Sequence, residues 1–199
     1  MEKSILIEEN ETKSIIFKEA AKLFAEKGYH GVSMREISEK ASVTKPTIYY
    51  YFENKEGVYR ALISEGIRHG HEKINEILSK EIPAKQKLVE LLVNRFRISM
   101  KYPELAKFYL AVFDSTEKLP LLDEFQNQGR VHKKILVDIM NQGVASGEFG
   151  AGAKPELAVE IFGAIVSYFI RKQLRCKRKI LSDTLAEEIV ELIFKGLNE

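Results

Sequence analysis

Cysteine is nearly absent from this chain and tryptophan wholly so: Cys176 is the one thiol in 199 residues. A lone cysteine excludes an internal disulfide framework and any zinc cluster built on several thiolates. It also fits a reducing compartment. Long apolar runs are missing too. The longest, Leu157 to Ile170, has 14 residues and contains Glu160, whereas a membrane span needs roughly 20. Near the start, Ile5-Leu6-Ile7 stand between acids and make no signal-peptide core. Secretion and membrane insertion are not expected, and a cytoplasmic protein is.

An excess of one charge is likewise lacking. The chain carries 31 Lys+Arg against 29 Asp+Glu, a net +2, and residues 1–60 hold ten of each sign. A generic polycation is excluded, so any nucleic-acid binding must come from where charges point. Enzyme motifs are absent: there is no Gly-x-Ser-x-Gly, no His-Glu-x-x-His and no phosphate-cradling glycine loop ending in Gly-Lys-Ser/Thr. His69-Gly70-His71 is the nearest approach to a metal motif, but on a helix those two rings point about 200° apart. No metal and no cofactor are expected.

What is present is apolar spacing at the helical period. Hydrophobic residues make up 45% of the chain and charged residues 30%, the balance of a folded globular protein. No segment alternates like a strand, so the expected fold is all-α. Helices are expected at about 12–27, 33–40, 44–51, 54–79, 83–102, 103–115, 119–146, 155–177 and 183–198, punctuated by five prolines and by Gly28 and the 146–152 loop. The expected organisation is a small helical domain, residues 1–60, followed by a larger helical domain, residues 61–199.

The informative stretch is short. Phe17, Ala20, Ala21 and Phe24 form the stripe of the first helix, and Gly28 ends it. Ser33-Met34-Arg35-Glu36 spells a capping box that opens a brief second helix. Ser42-Val43 leaves room only for a tight turn, and Thr44 with Pro46 opens a third helix. Two short helices joined this way form a helix-turn-helix. In its second helix Ile48 and Phe52 face the small core, while Tyr49, Tyr50 and Tyr51 fan over about 200°. They cannot all be buried. Exposed tyrosines beside Lys45, Pro46 and Thr47 suit phosphate oxygens, base edges and thymine methyls.

From Phe17-to-Phe24 and Gly28-Tyr29 through Val32-Ser33-Met34-Arg35-Glu36-Ile37, Ala41, Val43-Thr44, Ile48-Tyr49-Tyr50-Tyr51-Phe52 and Asn54-Lys55-Glu56, the chain resembles the N-terminal domain of TetR/AcrR-family transcriptional repressors, over about residues 12–62. The resemblance implies a homodimeric regulator that grips a near-palindromic operator in double-stranded DNA and is released by a small-molecule inducer. It assigns base contact to Arg35, major-groove positions to Lys45, Pro46 and Thr47, and phosphate contact to Tyr49 and Lys55. Tyr50, Tyr51 and the capping Ser33 lie close by. Two departures stand out. Ser42 occupies a turn position that is often glycine, and Gly57 replaces the acid that usually completes the cap opened by Asn54.

The rest of the chain supports weaker expectations. Gly57, Gly66 and Gly70 in the fourth helix signal close packing against a neighbour, or else a compliant lever. The run 157–170 is apolar nearly all round, so a partner subunit is expected to cover one side. Ile161, Ile165, Tyr168 and Phe169, with Leu185, Ile189, Leu192 and Ile193 from the last helix, are the candidate dimer face, and Leu197 extends that last stripe. Phe96, Met100, Phe108, Tyr109, Phe113, Phe125, His132 and Phe162 are candidates for an apolar ligand pocket, though most are expected in the core. The basic run Arg171, Lys172, Arg175, Lys177, Arg178, Lys179 suits a helix C-terminus and, as a sharper reading, a second nucleic-acid site. The other class of reading is an all-α lipid-binding module or enzyme that keeps the helix-turn-helix only as packing.

Overall fold

The computed structural model describes residues 11–150 and 152–195. The Ile5–Ile7 stretch, Ala151, Leu197 and the final residues of the expected last helix lie outside that range. Among the described residues there are nine α-helices and no strand. They are α1 (Glu11–Lys27), α2 (Met34–Ala41), α3 (Lys45–Phe52), α4 (Lys55–Leu78), α5 (Ala84–Lys101), α6 (Pro103–Phe113), α7 (Leu122–Ala145), α8 (Pro155–Arg175) and α9 (Asp183–Lys195).

The chain divides into two compact units, and the division differs from a cut near residue 60. One unit holds the chain up to His71 together with Glu104–Gln126; the other holds Glu72–Pro103 and Asn127 onward. The physical reason is aromatic. Phe108 of α6 is fully buried against Tyr59 of α4, with ring centroids 5.3 Å apart, and against Phe24 of α1 at 6.2 Å. Most of α6 therefore belongs with the N-terminal helices. Burial pushes the Tyr59 hydroxyl up to about 12, so it stays protonated at any ordinary pH.

In the first unit, α1 buries Ile16, Phe17, Ala20, Ala21, Leu23 and Phe24. These meet Ile37 and Ala41 from α2 and Ile48 and Phe52 from α3, with Phe17 and Phe52 rings 5.5 Å apart. Tyr109 of α6 lies over α4. Its hydroxyl donates to the Leu62 carbonyl at 2.9 Å, and a Cβ placed on Gly66 would stand 2.4 Å from its ring. Close packing explains that glycine.

In the second unit, α5, α8 and α9 pack together around Leu88, Leu92, Phe96, Phe162, Val190 and Phe194. Phe149, from the loop after α7, stacks on Phe194 at 3.9 Å. Glu148 beside it caps α5 from a distance in sequence. Its carboxylate accepts from the Ala84 and Lys85 amides, both at 3.1 Å, and from the Ser146 hydroxyl at 3.0 Å. Partial burial pushes its pKa up, but the amides and hydroxyl together hold it below the ordinary carboxylate value.

Candidate nucleic-acid interface

The interface is built by caps and one strained turn. Ser33 is the N-cap of α2 and accepts from the Glu36 amide at 3.2 Å. Glu36 pairs with Lys27 at the end of α1, and this bond, with help from the Ser33 amide, holds its carboxylate below the ordinary value. The α2–α3 turn passes through Ser42 at φ 53°, ψ 38°. A left-handed conformation at a non-glycine residue costs about 1–2 kcal/mol. Ser38 offsets part of that strain. It is buried, and its hydroxyl donates to the Val43 carbonyl at 2.6 Å while the Val43 amide donates to the Ser38 carbonyl at 3.1 Å. Sequence reasoning passed over Ser38; a serine four residues before the left-handed position was the available signal.

Thr44 caps α3 by accepting from the Thr47 amide at 3.3 Å, and the two threonine hydroxyls lie 2.8 Å apart. The exposed surface of α3 then carries Lys45, Pro46, Tyr49 and Tyr50, with Thr47 and Tyr51 half-buried. Tyr50 is 83% exposed and Tyr49 48%. The Tyr51 ring lies between its neighbours, 5.1 Å from Tyr50 and 6.2 Å from Phe52. Solvent exposure of two phenols on an eight-residue helix is not packing chemistry. Arg35 is exposed on α2 and donates to Glu39 at 2.7 Å, an exposed pair that contributes little to stability. Lys55 is placed differently. It is half-buried, with its ammonium 3.0 Å from the Tyr29 carbonyl and 4.4 Å from the centre of the Tyr29 ring.

The chain between α3 and α4 is tight. Glu53 has φ 60°, and Asn54 accepts from the Gly57 amide at 2.8 Å. A Cβ on Gly57 would stand 2.0 Å from the Phe52 carbonyl oxygen. That close approach is why the cap opened by Asn54 has glycine where an acid is usual.

With that geometry in place, the comparisons say what this segment is similar to. Residues 16–62 match the family model described as bacterial regulatory proteins, tetR family. The helix-turn-helix segment is thus similar to that of TetR-family regulators. Likeness extends beyond the TetR segment. The chain is 25% identical over 183 residues to the fatty acid metabolism regulator protein of Bacillus subtilis strain 168, covering 90% of this chain and 92% of that one. The solved structure of a Bacillus subtilis FadR in complex with stearoyl-CoA superimposes with a TM-score of 0.70 at 25% identity, covering 92% of this chain and 97% of that one. The ketosteroid regulator KstR2 of Mycobacterium tuberculosis shares the fold, with a TM-score of 0.84 at 17% identity over 98% of this chain and 100% of that one.

Outside the TetR segment, the candidate pocket residues fall in both units. Phe108, Tyr109, Phe113 and Phe125 lie in the first, where Phe108 is core, Tyr109 and Phe125 stack at 6.1 Å, and Phe113 is exposed. Phe96, Met100, His132 and Phe162 lie in the second, Phe96 and Phe162 buried and the other two half-buried. On the second unit's surface, Leu157, Ile161, Ala164 and Tyr168 form an exposed stripe along α8, and Leu192 of α9 is 71% exposed. Ile165, Phe169, Leu185 and Ile193 are half-buried. Ile189 is a correction to the expected dimer face. It turns inward and is 4% exposed, because the inner stripe of α9 runs through Ala186, Ile189, Val190 and Phe194. Leu157 and Ala164 take up the outer face instead. The basic run ends α8, where Gln173 organises the following loop by accepting from the Ile180 and Leu181 amides at 2.6 and 3.1 Å.

Proposed function

We propose that the chain is a ligand-responsive transcriptional repressor that binds a near-palindromic operator as a homodimer. The observation that carries this reading is the surface of α3. Tyr49 and Tyr50 are held out in solvent beside Lys45 and Pro46, on a helix fixed by two caps and by the stitch from Ser38. Lys45, Pro46 and Thr47 enter the major groove, Tyr49 and Tyr50 meet phosphate and sugar, and Arg35 reaches a base edge after leaving Glu39. The apolar stripe on α8, with Leu192, supports a face that a second copy covers. Pairing sets two recognition helices at the spacing of successive major grooves, about 34–36 Å.

The inducer is a small molecule with a large apolar part. The similarity to a FadR solved with stearoyl-CoA makes long-chain acyl thioesters the first class to test. A ligand that moves the DNA-competent state from 99:1 to 1:99 must discriminate between conformers by about 5.5 kcal/mol.

The test is selection of random duplexes by the purified protein, repeated with Tyr49→Ala and Lys45→Ala. The parent enriches one near-palindrome and both variants lose it. Affinity falls with salt at a log–log slope of about −5 to −9 for six to ten phosphate contacts per dimer. A parent protein that enriches no duplex, or whose binding is flat in salt, refutes the reading and leaves the helix-turn-helix as packing.

A further inference from the structure

We propose that the loop between α8 and α9 is a second, sequence-independent binding surface for the phosphate backbone of double-stranded DNA, carried by Arg175, Lys177, Arg178 and Lys179. The proposal adds to the reading of α3 and is separable from it. It starts from where charge lies along the chain. Residues 1–60, which include α3, hold ten basic and ten acidic residues, whereas 171–179 hold six basic and none acidic. Without those six the chain has 25 basic against 29 acidic residues, a net −4. Attraction of a polyanion depends on cations gathered in one place, and this run is the densest gathering in the sequence.

The fold does not neutralise the run. No acid lies between Glu160 and Asp183, and both of these are engaged elsewhere: Glu160 pairs with Lys133 of α7 and Asp183 with Arg97 of α5. Arg175, Lys177, Arg178 and Lys179 are exposed, and among the described residues none of the four has an ion pair. The loop that carries them is fixed. The Gln173 side chain accepts from the Ile180 and Leu181 amides and donates to the Arg178 carbonyl at 3.3 Å, and Leu181 is fully buried. Like charges are thus kept together despite their repulsion. Attraction to the C-terminus of α8 accounts for Arg175 but falls off within the last turn, and Lys177, Arg178 and Lys179 lie past the end of that helix. Four exposed cations suit a row of phosphates better than a small ligand, which a site would largely enclose.

Salt dependence reads the contact. A phosphate contact releases counterions, so losing one per subunit flattens the log–log slope by about 1.8 per dimer. The experiment measures affinity of the full chain from about 50 to 200 mM salt, on its selected duplex and on a random-sequence duplex of equal length, with thermal unfolding of every variant alongside. Lys177→Gln/Arg178→Gln/Lys179→Gln flattens the slope by about 1.8 or more on both duplexes, so its deficit against the parent is about tenfold greater at 50 mM than at 200 mM. Its base preferences are unchanged. Lys177→Arg/Lys179→Arg keeps the parental slope. Lys87→Gln/Lys134→Gln/Lys154→Gln, which removes the same charge from the same unit, keeps it too. Lys177→Gln/Lys179→Gln gives the same test if the triple variant does not fold. An unchanged slope on either duplex overturns the proposal, as does equal flattening by the control variant, which makes the effect one of net charge. A parent that enriches no duplex, yet binds random duplex through this loop, brings down the reading of α3 alone. A parent that binds no duplex at any salt overturns both.

Discussion

Gly66→Ala should destabilise this protein, although alanine is the better helix former. Replacing an interior helical glycine by alanine ordinarily gains about 0.8–1.0 kcal/mol. Here the added Cβ would stand 2.4 Å from Cζ and Oη of Tyr109 and 2.7 Å from Cε1. The ring must move, and two contacts hold it. Its hydroxyl bond to the Leu62 carbonyl contributes about 0.5–1.5 kcal/mol, and its stacking on Phe125, 13° from parallel, about 0.5–1.5 kcal/mol. Losing both outweighs the helical gain and leaves a net cost of about 1 kcal/mol. The decisive arm is a double-mutant cycle. In a Tyr109→Ala background nothing opposes the new methyl, so Gly66→Ala should stabilise by most of the propensity term. The sign inverts, with a coupling of about 2 kcal/mol, inside the range for contacting residues. Urea unfolding followed by far-ultraviolet circular dichroism, with constant slopes across the four proteins, reads it. If Gly66→Ala stabilises the parent, or has the same effect in both backgrounds, the account of this glycine as a seat for Tyr109 is wrong. The choice between packing and a flexible lever in α4 then reopens.

Three further outcomes are expected. Ser42→Gly relieves about 1–2 kcal/mol of left-handed strain and loses about 0.4–1 kcal/mol through the freer unfolded chain, so thermal unfolding should show a gain of up to about 1.6 kcal/mol, while Ser42→Ala, which keeps the strain, shows none. Tyr50→Ala, at a position 83% exposed, should leave stability within about 0.5 kcal/mol yet weaken operator binding about tenfold or more, measured by anisotropy on the selected duplex. Glu148→Ala should cost about 1 kcal/mol as a lost helix cap. Because the Glu148 carboxyl is depressed in the folded state, its contribution is full above the unfolded carboxylate's pKa of about 4.3 and is lost as pH falls through the folded value, so Glu148→Gln should flatten the acid limb of the stability profile measured by urea unfolding.

How far the sequence could be read depended on whether the signal was local. The helix-turn-helix is written in caps and turns a few residues long: Ser33 with Glu36, Thr44 with Pro46, Gly28 after α1. These identify elements because a cap bonds to amides two or three positions away. At Ser42 the sequence showed a departure from the usual glycine, and the backbone supplies the left-handed conformation behind it. What could not be read were bonds between distant positions. Glu148 capping α5, Lys55 on Tyr29 and Phe108 joining α6 to the N-terminal helices span 63 or 64, 26 and 49–84 residues, and no local pattern encodes them. The α9 phase shows the same limit in miniature. Leu185, Ile189, Leu192 and Ile193 satisfy helical spacing equally well for an inner or an outer stripe. Only Ala186 and Val190, small and easily overlooked as stripe residues, reveal that Ile189 turns inward. The missing acid at Gly57 combines both cases: the departure is local and visible, but its cause, the Phe52 carbonyl oxygen standing where a Cβ would go, appears only once the turn at Glu53 has been built. A departure from a family pattern at a tight turn is therefore better read as evidence of a steric constraint than as a decayed motif, and Gly57→Glu, which restores the usual acid, should unfold the start of α4 instead of strengthening it.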